Sequence, residues 1–202
     1  MSWQNKDKRP VWVLAVAQAL FQTCSVLMAT LSGLVGLHLA SDKSMATLPI
    51  AVMVLAAATM MIPASMLMQR LGRRQGFLIG TALGIAAGLM AAAGLHWHRF
   101  EWFVAAHALF GAYQGFAQYY RFAAADLAPA EFKSKAISWV MMGGVVAAIA
   151  GPNLARVTQD LGPEPFTSSY LALAVLSVLA GLLLMRLSHV SLLARFSFTS
   201  PT

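Results

Sequence analysis

The chain has 202 residues, 59% of them hydrophobic and 10% charged, with a formal net charge of +7. A soluble domain carries about 25% charged residues, so an ordinary water-facing surface is excluded and lipid must solvate much of the chain. The positive charge is then read by its position along the chain and not as a nucleic-acid footprint, and the single cysteine, Cys24, excludes a disulfide within the chain.

Residues 1–10 form a short polar, basic segment. The apolar run that follows, roughly 11–37, is too long for the about 7–15 residues of a signal-peptide core and reads as a retained membrane helix. Further apolar runs follow at about 46–69, 76–96, 102–124, 136–157 and 167–187, each near the roughly 20 residues that cross a hydrocarbon core. None shows the about 10-residue alternation of a membrane barrel. The expected fold is therefore all-α and integral to the membrane, with a six-helix bundle over 11–187 and a tail over 188–202. All of the 14 lysines and arginines except Lys43, Arg99 and Arg156 fall on the side that holds the N-terminus. That asymmetry in short loops places both termini in the cytoplasm. Trp97 and Trp102, with His96 and His98, mark an outer turn.

Polar residues inside the runs are few and aligned. On the first, Gln18, Gln22, Ser25 and Ser32 are spaced by 4, 3 and 7, one face of a helix. On the fourth, His107, Gly111, Gln114, Gln118 and Arg121 are spaced by 4, 3, 4 and 3, again one face. The third has Thr81 as its clearly polar residue. An arginine at a helix centre costs roughly 2.5–3.5 kcal/mol on insertion scales, so such groups face a bundle interior or a water-filled cavity. Two readings stay open for the glutamines: lining a solute cavity, or hydrogen-bonding neighbouring helices at about 1 kcal/mol each. Arg121 either contacts solute, snorkels to headgroups or meets Asp126; His107 is either a proton-linked switch or a structurally satisfied histidine. No carboxylate lies well inside any run, no metal or catalytic spacing is present, and the 12 methionines are dispersed. The expectation is no cofactor, no metal and no enzymatic activity. Gly80, Gly84, Gly88 and Ala92 make a small-residue face on the third run, suited to packing inside the bundle or to homodimerisation. Gly151-Pro152 should bend or soften the fifth.

The turn "SMLMQRLGRRQG" resembles the loop signature of the major facilitator superfamily, G-x-L-x-D-R-x-G-R-R, through Leu67, Arg70, Gly72, Arg73 and Arg74; Ser65 and Gln69 replace the glycine and the aspartate. "GAYQGFA" is similar to the family's R-x-x-Q-G pattern through Gln114 and Gly115. "DLAPAEFKSKA" resembles the exit from its fourth helix through Asp126, Pro129, Glu131 and Ala136, and "AAIAGPNLA" its G-x-x-x-G-P motif through Gly151 and Pro152. The resemblance implies the N-terminal six-helix half of a transporter, built from two inverted three-helix repeats whose first and fourth helices line a midplane cavity. It thereby assigns Gln18, Gln22, Ser25, His107, Gln114, Gln118 and Arg121 to a solute cavity, and Arg70, Gly72, Arg73, Arg74, Asp126, Gly151 and Pro152 to conformational control, with Arg73 and Asp126 able to pair. Implied partners are the lipid bilayer, a small polar solute, and a second six-helix bundle from a homodimer or a separate chain; nucleic acid is not among them, and the solute is anionic if Arg121 reaches the cavity. A bacterial inner membrane is the expected location. The alternative is a truncated, non-transporting membrane interaction subunit.

Overall fold

The computed structural model describes residues 5–162 and 164–187, with side chains from Arg9 onward. The expected N-terminal segment is thus described only in part, and the expected tail at 188–202 lies outside the described residues. Among these, every regular element is helical: α1 (Asn5–Leu39), α2 (Leu48–Leu71), α3 (Arg73–His96), α4 (Phe100–Ala117), α5 (Tyr120–Leu127), α6 (Lys133–Met141), α7 (Gly143–Thr158) and α8 (Thr167–Met185), with single 3-10 turns at Lys43–Met45 and Ala130–Phe132.

The boundaries have local causes. Pro49 sits in the first turn of α2, where its missing N–H is no loss. Between α2 and α3 the chain turns on Gly72 alone, at φ +89°, a backbone region that a Cβ disfavours; the glycine of the "LGRR" motif is there for its conformation. At the outer turn before α2, Asp42 accepts from the Ser44 N–H at 2.9 Å, a bond that holds its carboxyl below the usual carboxylate range. The fourth run is not one helix. It tightens at Gln118 and Tyr119, where the Tyr119 N–H reaches back three residues to the Phe116 carbonyl at 3.1 Å, and resumes as α5.

Packing follows the small residues. α4 lies between α2 and α3, α3 also packs on α8, α1 packs on α7 and α8, and α5 meets α6 and α1. A methyl on Gly80 would sit 2.8 Å from Phe116 of α4, on Gly84 2.6 Å from the Tyr113 ring, and on Gly88 2.8 Å from the Ala174 backbone of α8. The glycine face of α3 is therefore filled by α4 and α8 within the chain. α7 approaches α1 in the same way: Gly143, Ala147, Gly151 and Ala155 are all buried, and a methyl on Gly143 would meet the Ala19 backbone nitrogen at 2.8 Å. Gly151 has a packing reason in addition to its proline neighbour.

Among the described residues, five stretches are long and apolar enough to cross a membrane: Arg9–Leu39, Lys43–Leu71, Arg73–His96, Ala130–Thr158 and Thr167–Met185. α4 falls short of that measure, because Glu101, His107 and Gln114 lie along its 18 residues. The polar residues that draw attention to it are what lower its hydropathy.

Candidate functional site

The two polar faces meet. Gln114 Nε2 of α4 donates to Ser25 Oγ of α1 at 2.9 Å, joining members of the two stripes that sequence spacing had aligned separately. Gln22, one turn from Ser25, points towards α7, with its Nε2 3.8 Å from the place a methyl on Gly144 would occupy. Gln22, Ser25, Gln114 and Arg121 are partly exposed and Gln118 is exposed, whereas Gln18 is almost covered at 8%. These groups offer amide and hydroxyl donors and acceptors along one wall.

The end of the same faces that holds Ser32 and His107 is closed. His107 and Ser32 are both 0% exposed. The His107 ring packs edge-on against Phe103 at 4.5 Å, and Nδ1 donates to the Phe103 carbonyl at 2.9 Å. A carbonyl only accepts, so Nδ1 carries the proton and Nε2 is an acceptor in the neutral ring; it has no partner. Burial inside one bundle can only increase when another body is added. His107 therefore stands behind the accessible wall in this conformation, apart from Gln22, Gln114 and Gln118.

At the end near the α2–α3 turn the charged groups sort themselves. Arg73 pairs with Asp126 at 2.5 Å, which links the α2–α3 turn to the last turn of α5. Arg74 Nη2 donates to the Met185 carbonyl at 2.7 Å, satisfying the C-terminal end of α8. Arg70 lies exposed in the last turn of α2. Asp126 is thus taken by Arg73, and Arg121 forms no ion pair among the described residues; its guanidinium lies 5.0 Å from the Phe122 ring centroid. Among the described residues no group of three or more histidine, cysteine, aspartate or glutamate side chains is placed to hold a metal.

Three tyrosines were not foreseen. Tyr119, at the α4–α5 break, donates its hydroxyl to the Met61 carbonyl of α2 at 3.0 Å, so the break is tied to a neighbour opposite a region where α2 contains Pro63. Tyr113 and Tyr120, seven residues apart and fully buried, flank the break on another side. Their spacing was visible in the sequence, but an aromatic pair inside an apolar run reads as packing.

Comparison with known proteins bears on what such a wall belongs to. The sequence profile described as Major Facilitator Superfamily matches residues 11–196. The chain belongs to that superfamily. It is an integral membrane protein of a transporter family, not an enzyme. It is also similar to the riboflavin transporter RfnT of Brucella anthropi, 42% identical over 174 residues, which are 86% of this chain and 44% of the relative. The chain thus spans less than half the length of that relative.

Proposed function

We propose that the chain forms the first six-helix half of a secondary transporter that moves a small polar solute of the flavin type, riboflavin first, by alternating access against a second six-helix bundle. The observation that carries this reading is the Gln114–Ser25 hydrogen bond between the two polar faces, which puts amides and hydroxyls where a solute with an imide edge and hydroxyls needs paired donors and acceptors. The relative's name supplies the solute class. In this reading α4 and α5 together make the fourth of six spans, α1–α3 and α4–α8 are inverted repeats, and both termini face the cytoplasm of a bacterial inner membrane. Gln18, Gln22, Ser25, Gln114 and Gln118 contact solute, and His107 supports them from behind. Arg121, which forms no ion pair among the described residues, biases the inner mouth towards an anionic or electron-rich group. The Arg73–Asp126 pair and the turn at Gly72 latch one conformation, and Gly151-Pro152 softens the α7 wall.

A second bundle has room. Only 17% of the most apolar window of the second stretch and 22% of that of Ala130–Thr158 are buried, against 50% and 56% for α3 and α1. The reading is tested by producing the chain in a bacterium that can neither make nor import riboflavin, measuring uptake of labelled riboflavin, and weighing the gently extracted complex. Paired bundles with uptake that falls at least about tenfold in Gln114→Leu, equivalent to 1.4 kcal/mol, support it. A lone 21.6 kDa chain with no uptake favours the non-transporting membrane subunit.

A further inference from the structure

Behind the polar wall lies a second group of polar atoms that the transport reading does not use. Tyr113 of α4, Tyr120 of α5 and Ser177 of α8 are buried to within 1%, and none of their hydroxyls forms a hydrogen bond in the protein. They share one place. A methyl on Gly84 would lie 2.8 Å from both Ser177 Oγ and Tyr113 Cε1, and the Tyr113 and Tyr120 hydroxyls approach one another without reaching hydrogen-bond geometry. Cys24 of α1 comes up to Ser177 from the other side, with its thiol donating to the Leu173 carbonyl at 3.7 Å.

The orientation of Ser177 is informative. Thr23, Thr30, Thr59, Ser138 and Thr158 each turn their hydroxyl back onto the carbonyl four residues earlier, at 2.7–3.0 Å, which is how a hydroxyl is satisfied on an apolar helix. Ser177 does not, although the carbonyl of Leu173 is there and takes the Cys24 thiol instead. Its hydroxyl lies beside the Tyr113 ring, next to Gly84.

Three converging hydroxyls in an apolar bundle match the about three hydrogen bonds that a buried water makes to otherwise unsatisfied groups. We propose that Tyr113, Tyr120 and Ser177 form a binding site for one structural water, with Cys24 at its edge. The water accepts from one tyrosine, donates to another hydroxyl and closes the set on the third. It ties the two sides of the α4–α5 break to α8, on a face of that segment different from the one that carries Gln114, Gln118 and Arg121. Only this last point rests on the transport reading; the site itself does not.

The sign of a stability change tests it, independently of uptake. The full chain in detergent carries Tyr113→Phe, Tyr120→Phe or Ser177→Ala singly, and then all three. Removing one partner of a satisfied water strands the others, whereas removing all of them lets the water leave with them. Each single variant is expected to lower the apparent Tm by about 2–4 °C, with the triple variant no lower than the worst single one. Unchanged or raised Tm in the single variants, the response of dry hydroxyls, overturns the site, as does a triple loss equal to the sum of the singles. Should a variant fail to fold, an experimental density map of the unmodified chain decides: ordered density within hydrogen-bond distance of all three hydroxyls upholds the site, and an empty or apolar-filled contact overturns it.

Discussion

The two ends of the paired polar faces are built from the same spacing and end in opposite environments. At the end near the α4–α5 break Gln22, Ser25, Gln114 and Gln118 keep exposed surface; at the other end Ser32 and His107, two turns away on α1 and α4, have none. Helical periodicity fixes direction around an axis and says nothing of depth. Depth is decided by the neighbour. α2 packs on α4 at both levels, through Met53 on Gly111 and Met60 on Gly115; the difference lies on the α1 side, where Gln114 reaches across to Ser25 and a polar side chain occupies the seam.

Thiol labelling exposes this difference most strongly. In a Cys24→Ser background, Gln118→Cys is expected to react with a membrane-impermeant thiol reagent about a hundredfold faster than Ser32→Cys, since only a reachable thiolate reacts. Equal rates would erase the distinction between the two ends. Stability separates them next. His107→Ala removes a fully packed ring and should cost about 3 kcal/mol, seen as a large fall in apparent Tm, while Gln118→Ala stays within about 0.5 kcal/mol. If Gln118→Ala were the more damaging, the end near the break would be a packed seam and not an open wall. The smallest effect belongs to the charges near the α2–α3 turn. Asp126→Asn removes the Arg73 pair, whose carboxylate side is 56% exposed, and should cost under about 1 kcal/mol; a loss several times larger would mean that the pair is shielded by something beyond this chain.

Much of this was legible before any coordinates, for identifiable reasons. The ends of α2 and α3 were close to their expected places because Pro49 and the "LGRR" turn act through backbone geometry that a single residue imposes. The facing of α1 and α4 was legible because polar residues in an apolar run are few enough for spacing to be unambiguous. The break after Ala117 was not, since neither proline nor glycine marks Gln118 or Tyr119; it is held by tertiary bonds such as that from Tyr119 to Met61. The position of His107 behind the wall was equally hidden, because its spacing matches that of Gln114 and only packing divides them. Asp126 shows a middle case: its pairing with Arg73 was one option among several for the local arginines, and geometry selected it.

The glycine face of α3 has a consequence for how the sequence can change with time. Because α4 and α8 touch its backbone directly, at Gly80, Gly84 and Gly88, that helix holds an impression of its neighbours' rings and main chain. A larger side chain there has nowhere to go unless Tyr113, Phe116 or Ala174 changes in the same generation. The residues least free to drift are thus on the glycine face of α3, and a survey of damaging variants would find its densest cluster there, away from the Gln114–Ser25 pair.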